Sequence, residues 1–538
     1  MGNREHPFVA EGTAMLIARP DKTHVLDIHQ MSMEEKITAL AFQGLANRNG
    51  ANVFCKAKFW NWPGSDEFWI GYLTEKKGFE FEEIGSLPDL VERYPGAAKG
   101  LVVWDPRIDQ TKWIAMAMAG VHDLLPVAPE CVSRYGDLPV CEYLQGRFAS
   151  EIEAAEWSVR SILPQCDRRM GYSIERAWSG ATIDSLDYAV QNSSFVYCLN
   201  HTGNGKSGPR ETQLIHEILS RIGPNAPIFG WGEPEDAYCE AISFHDNYVM
   251  CAEAPNLSFW KHVPCRRTDW TQPARKDPSS FVLQKKHYIA LCTSEGDTPK
   301  MAVSVEGGAW LDPNRGNVPV NWGMNPLHLD LFPAILEFYW DTATENDYFM
   351  GGASGAGYTY PNRMPNPEAW MKQVGEYFCR ADMHETDAWM HFSRPVYELY
   401  AKLSGIRAFA MPCGPFGCTL LNGGEAVAFF RGNSGLNYFD SSGSPRDLAE
   451  QIKRHCWQRN APSFSVAHLV PDSRNNPTSQ GGWNPTLFVE VLELLGDEFR
   501  FVTMQEMSEL AIRALREGVC PDCQAPGYSE WDPPEATR

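Results

Sequence analysis

No extended run of lysine or arginine occurs in this 538-residue chain, and no basic patch interleaved with aromatics replaces one. With 47 Lys+Arg against 68 Asp+Glu, the formal net charge is −21. That argues against nucleic acid or an anionic membrane as a partner, since both need a basic surface. Long apolar runs are also missing. The longest, Trp113 to Val121, is far too short to span a bilayer. The start, Met1 to His6, leads into no apolar h-region, so no secretory leader is read. Fifteen cysteines are present without a disulfide framework. Cys55, Cys198, Cys251 and Cys292 fall inside strand-like or helix-like runs and read as buried free thiols. Such usage favours a reducing, cytoplasmic compartment; the alternative is an exported protein whose leader has been removed. No HxxxH or HExxH pair occurs, and Cys520-Pro521-Asp522-Cys523 is half a zinc site without a second half, which reads as a thiol pair. No internal repeat or low-complexity tract is seen.

The chain does hold a large apolar and aromatic supply, 43% hydrophobic and 12% aromatic, enough for two domains with sizeable cores. Thr23 to Ile28 reads as a strand. Ser32 caps the helix that follows, with Glu35 completing a capping box. Strand and helix alternate through Ala51–Cys55, Gly100–Trp104, the helix from Trp113 and Leu124–Val127. This predicts a small N-terminal α/β layer domain over residues 1–155. Residues 156–538 resume the alternation and predict an irregular (β/α) TIM-like barrel with a C-terminal tail. Its candidate strands are Ser194–Leu199, Pro227–Trp231, Tyr248–Ala252, His287–Thr293, Tyr348–Gly352, Ala408–Met411, Leu436–Asp440, Ser463–Ala467 and Phe499–Thr503. An open doubly wound sheet is the alternative. Helices are expected over Leu327–Tyr339, after the Asn484 cap, and after the Thr503/Glu506 capping box.

In a barrel, functional side chains sit at the C-terminal strand ends. That rule selects Glu233, Glu253 and Asn256, the Ser294-Glu295-Gly296-Asp297 cluster, Asp440 and His468. Glycoside hydrolysis needs two carboxylates, one to protonate the leaving oxygen and one to attack or to activate water. Acids at strand ends also cap helices, and that reading stands for any single one. Glu295 and Asp297 alternate along an extended strand and would share one side. A close pair would raise one pKa, as a general acid requires. The same pair could instead hold a divalent cation near Asp297, the one cofactor that the sequence suggests. Asn200 to Ser207 ends in GKS but lacks the first glycine of a phosphate loop and is interrupted by Gly208-Pro209. Gly352 to Ala356 has nucleophile-elbow spacing, but Tyr358-Thr359-Tyr360-Pro361 does not continue as a helix.

The most specific pattern is Gly355-Ala356-Gly357-Tyr358-Thr359-Tyr360-Pro361, a glycine-rich turn after a strand with two alternating tyrosines. It resembles the signature of the GxGYxYP family of putative glycoside hydrolases. Phe42-Gln43-Gly44-Leu45-Ala46-Asn47-Arg48, Leu101 to Pro106, Asp187 to Gln191, Phe229-Gly230-Trp231, Asn256-Leu257-Ser258 and Ser294 to Thr298 are similar to further segments of that family, in order. Glu295 and Thr298 depart from its SDGDN pattern. The resemblance implies an N-terminal α/β region, a TIM-barrel-like C-terminal domain and carbohydrate processing. On this reading Asp297 and Glu295 are the main acids, with Glu253 or Glu233 opposite. Tyr358, Tyr360 and Trp231 would form a sugar platform, with Ser354 beside it, and Asn256, His468 and Asp440 would bind hydroxyls. The partner is a carbohydrate, neither nucleic acid nor membrane; the oligomeric state is left open. A metal-dependent carbohydrate deacetylase using Asp297 and His468, and a non-catalytic carbohydrate-binding protein, are the competing readings.

Overall fold

The computed structural model describes residues 22–59, 61–175, 183–201, 208–251, 253–293, 296–389, 393–412, 417–432, 444–457, 459–472 and 482–520. The local signals act as expected at several helix starts. Ser32 Oγ accepts from Glu35 N while Glu35 Oε2 accepts from Ser32 N, so both halves of the capping box form. Asn484 Oδ1 accepts from Leu487 N at 3.0 Å, and Thr503 Oγ1 from Glu506 N at 3.2 Å. The helix expected over Leu327–Tyr339 is instead two, His328–Leu331 and Pro333–Thr342. Pro333 brings no N–H and disfavours the helical conformation at the residue before it.

Two compact units divide the chain. One holds the described residues to Phe59, then Pro63–Cys265 and Asp330–Ile335; the other holds 61–62, Arg266–Leu329 and Leu336 onward. The first unit contains three parallel sheets. Strands β1 (Thr23–Asp27), β2 (Val53–Lys56) and β3 (Phe81–Ile84) pair in the order β2-β1-β3. Strands β4 (Gly100–Val103), β5 (Leu124–Val127) and β6 (Val140–Tyr143) pair as β5-β4-β6. Strands β7 (Asp167–Ser173), β8 (Ser194–Tyr197), β9 (Pro227–Gly230) and β10 (Tyr248–Met250) pair as β10-β9-β7-β8.

The second unit is built on a nine-stranded sheet. Its strands are β11 (His287–Thr293), β12 (Val320–Met324), β13 (Asp347–Ala353), β14 (Glu385–Asp387), β15 (Ala408–Met411), β16 (Gly417–Asn422), β17 (Ala426–Arg431), β18 (Ser463–Leu469) and β19 (Phe499–Phe501). The order is β16-β17-β15-β14-β13-β12-β11-β18, with β19 also on β11. Among its described strand pairs only β16–β17 is antiparallel. Four strand spacings separate β14 from β18, about 19 Å in a flat sheet. Yet His468 of β18 and Asp387 of β14 are hydrogen-bonded at 2.8 Å, so the sheet curls into a half-barrel.

The expected irregular TIM-like barrel is met in part, as this curled half-barrel sheet. The strands placed in it at 194–199, 227–231 and 248–252 belong to a separate, open sheet, and the sheet that does curl carries an antiparallel hairpin at one edge. The concave face shows why it holds its shape. Tyr288, Ala290, Tyr348, Met350, Ala408, Ala410, Ala428, Phe430, Phe464 and Val466 alternate along their strands and form one core with the helix Met504–Glu517. That helix contributes Met504, Met507, Leu510, Ala511, Ala514 and Leu515. Small alanines on β11, β15 and β17 leave the volume that its side chains fill.

Candidate active site

The C-terminal ends of β11, β12 and β13 are stacked by glycine. A Cβ added at Gly296 would stand 2.2 Å from the carbonyl carbon of Gly323, and one at Gly352 would stand 2.2 Å from both Asp297 N and Gly296 C. The segment leaving β11 therefore lies directly on the ends of β12 and β13, at a separation no side chain permits. Asn325 Nδ2 donates to Asp297 O at 2.8 Å, and Thr293 Oγ1 accepts from Gly323 N at 2.7 Å, which pins this crossing. Asp297 is buried there, 7% exposed. Glu295, its expected partner, lies outside the described residues, as does Asp440.

The signature turn follows β13. Ser354 has φ +63, Gly355 φ +111 and Gly357 φ +91, so the chain reverses through left-handed backbone that glycine adopts without strain. Ser354 Oγ donates to Thr359 O at 2.5 Å and closes the turn on itself. From outside, Tyr400 Oη donates to Ser354 O at 2.5 Å, and Ser354 N donates to Asp387 O at 2.9 Å. Tyr358 and Tyr360 meet edge to face, with hydroxyls 3.3 Å apart. Their exposures are 2% and 0%, so these rings present no open stacking face. Ser354, expected at the platform, is a hinge of the turn.

What the turn holds in place is Asp387. Ala353 is in register with Asp387, and Thr386 Oγ1 donates to Gly352 O at 2.8 Å. Asp387 Oδ1 bonds His468 Nε2 at 2.8 Å, with both side chains buried. A carboxylate only accepts, so Nε2 carries the hydrogen. Nδ1 of the same ring is buried without a hydrogen-bond partner. His468 is in register with Cys292 of β11, whose thiol burial holds in its neutral form. One turn deeper, Glu385 receives the Tyr348 hydroxyl, and burial raises its pKa. The crossing at Gly352 thus brings the Asp297 backbone within one residue of the β13 position that pairs with Asp387. Sequence reasoning singled out Asp297 and His468 and passed over Asp387 and Glu385. The signal was the alternation in Glu385-Thr386-Asp387, but a three-residue strand with two acids reads as a loop.

The remaining expected residues belong to the first unit and end a different sheet, so the single barrel rim that was to gather them does not form. Trp231 and Glu233 follow β9, with Trp231 Nε1 donating to Glu233 Oε1 at 2.9 Å. Glu253 follows β10. Its negative charge adds to burial in raising the pKa of Asp184. Asn256 is structural: Oδ1 accepts from Cys55 N at 2.7 Å and Gln43 Nε2 at 2.6 Å, and Nδ2 donates to Cys55 O at 2.9 Å. The segments around it interlock. Asn47 Nδ2 donates to Ser258 Oγ, Ser258 N to Asp187 Oδ2, and Gln191 Nε2 to Asn47 O and Ser258 O. The GKS-like segment 202–207 and Cys523 lie outside the described residues. Among the described residues no three His, Cys, Asp or Glu side chains gather as a metal site, and no helix is long and apolar enough to cross a membrane.

Three family models match the chain: the GxGYxYP first domain over residues 22–95, the GxGYxYP third domain over 182–262, and the "GxGYxYP putative glycoside hydrolase C-terminal domain" over 285–511. In structure the chain is similar to a "putative hydrolase" from Bacteroides thetaiotaomicron VPI-5482, at TM-score 0.76 and 19% identity, over 92% of this chain and 95% of that one. A "putative polysaccharide deacetylase" from Mycobacterium smegmatis matches at TM-score 0.31 and 12% identity, over 46% of this chain and 96% of its own, too low to indicate a shared fold. No curated protein matches the chain.

Proposed function

Because the chain belongs to the GxGYxYP family, we propose that it is a hydrolase of glycosidic bonds whose chemistry is carried by Asp297 and Asp387 at the strand ends of the curled sheet. The observation that carries this reading is the buried Asp387–His468 pair at the C-terminal ends of β14 and β18. Hydrolysis of a glycoside needs one carboxylate ionised and one able to deliver a proton. The Nε2–H of His468 points at Asp387, which accepts it at 2.8 Å and is oriented by it. Asp387 is then the nucleophile or base. Asp297, on the segment that crosses toward it, is the acid.

A second reading rests on His468 Nδ1, buried and without a hydrogen-bond partner. An imidazole oriented by a carboxylate at one nitrogen and open at the other suits the activation of water for removal of an acyl group from a sugar.

The test is a panel of aryl glycosides and aryl acetates assayed with the parent, Asp297→Asn and Asp387→Asn, each checked by thermal unfolding. Asparagine at 387 still accepts from His468, so the fold is expected to persist. Loss of at least about 10³-fold in glycoside turnover in both variants supports the first reading, on the scale of losing an acid or base. Glycoside turnover unchanged in both refutes it. Acetate release without glycoside cleavage selects the second.

A further inference from the structure

The four-stranded sheet of the first unit has a geometry of its own. Its order β10-β9-β7-β8 means that the chain leaves β7 toward β8 on one side, then crosses back to build β9 and β10 on the other. All of its pairings are parallel. In an open parallel sheet the crevice for a ligand opens at such a reversal, outside the C-terminal ends of the two strands that flank it. Here those ends are Ser173 to Glu175 after β7 and Gly230 to Glu233 after β9.

The residues at this point are chosen for closeness and polarity. Gly230 has φ +92, and a Cβ there would stand 1.7 Å from Ser173 O, so the two strand ends are in backbone contact. Glu175 Oε2 accepts from Glu233 N at 2.8 Å, and Glu233 Oε1 accepts from Trp231 Nε1 at 2.9 Å. Trp231 packs on Tyr238 at 5.5 Å, and His201 stands edge-on to the same tyrosine at 4.8 Å. His201 Nε2 faces the bare side of Gly232, where an added Cβ would lie 3.0 Å away.

That nitrogen is the decisive observation. His201 is 2% exposed, burial holds its ring neutral, and Nε2 has no hydrogen-bond partner. Ser173, Tyr197 and Tyr238 are buried on the same side of the sheet end. The Ser173 hydroxyl is within side-chain hydrogen-bonding reach of both phenols, so these three groups serve one another. A buried polar atom left unpaired costs about 1–3 kcal/mol, and His201 Nε2 marks a position that a hydroxyl-bearing molecule can satisfy.

We propose that this strand-end crevice is a second carbohydrate site, taking a neutral sugar ring, with Glu175, Glu233 and His201 meeting hydroxyls and Trp231 meeting a ring face. The described residues that form it include two carboxylates, Glu175 and Glu233, whose charge disfavours acidic or phosphorylated sugars. The proposal rests on the glycan reading given above only for the class of substrate; the chemistry of the curled sheet is not required for it.

The test is calorimetric titration of the full-length Asp387→Asn chain with glucose, galactose, mannose, xylose and N-acetylglucosamine, with glucuronate and glucose 6-phosphate as anionic probes. Trp231→Ala and Glu175→Gln are added singly to that background. The expected result is binding of at least one neutral sugar, weakened at least tenfold by either added substitution. If Trp231→Ala fails to fold, Glu175→Gln carries the test. Unchanged affinity in the variants that fold, binding of the anionic probes alone, or no binding by any neutral sugar overturns the proposal; the last leaves ordered water as the partner of His201. Because the background lacks Asp387, failure here leaves the hydrolytic reading untouched.

Discussion

Replacing Gly352 by alanine tests the strand-end crossing on which the site depends. The new Cβ would lie 2.2 Å from Asp297 N and Gly296 C, whereas ordinary contact begins at 3.4 Å. The shortfall is about 1.2 Å, and both obstacles are backbone, so no side chain can rotate away. Either β13 or the segment bearing Asp297 must move by about 1 Å. Overpacking of this kind costs about 1–3 kcal/mol of stability. A displacement of about 1 Å in a catalytic group costs about 10²-fold in rate. Urea unfolding and turnover of an aryl glycoside cleaved by the parent read the two effects separately. Gly71, in the helix Ser65–Tyr72, has nothing within 4 Å of an added Cβ and is the matched control. There alanine should be neutral or stabilise by about 0.5–1 kcal/mol. A Gly352→Ala protein with the parent's unfolding midpoint and turnover would refute the close crossing.

Other consequences are as direct. Burial pushes the Asp66 carboxyl up to about 7 from 3.8, against the Lys58 N–H that it accepts. A folded-state pKa above the unfolded one means stability is lost as pH rises between those values, and the loss is complete above about 7. Asp66→Asn should therefore match the parent near pH 4 and exceed it at pH 8 by up to about 4 kcal/mol, measured by chemical unfolding at both pH values. An equal difference at the two pH values would sink the argument. Asn256→Ala leaves the buried N–H and C=O of Cys55 without the partners they have now. It should cost about 2–6 kcal/mol by unfolding, on the scale of two orphaned groups, and a change below about 1 kcal/mol would contradict the clamp.

Strand periodicity was legible where strands are apolar and fully buried. His287–Thr293 matches β11 residue for residue, and β8, β9, β10, β13, β15, β18 and β19 lie within two residues of their expected limits at each end. Closure was not legible, because strand–helix alternation has the same local pattern in an open sheet and in a barrel. What distinguishes them here is long-range: β10-β9-β7-β8 pairs only with itself, and the curl is revealed by one side-chain contact across four strands. The polar strand β14 was hidden for a different reason. Glu385 and Asp387 stay in the sheet because Tyr348 and His468, both distant in sequence, bond them. Asn256 misled for the same reason: a strand-end amide looks the same in sequence whether it meets a sugar or Cys55.

The helix Met504–Glu517 follows every strand whose concave face it covers. During vectorial synthesis the chain must therefore make the inner faces of β11, β13, β15, β17 and β18 before the element that shields them exists. Until residue 515 is available, Tyr348, Phe430 and Phe464 lack the cover of that helix, and the nascent sheet offers an apolar hollow to whatever else is at hand. Ribosome-associated chaperones would meet this protein late and at the C-terminal unit, while the first unit, whose sheets end by Met250, has had its strands complete since long before.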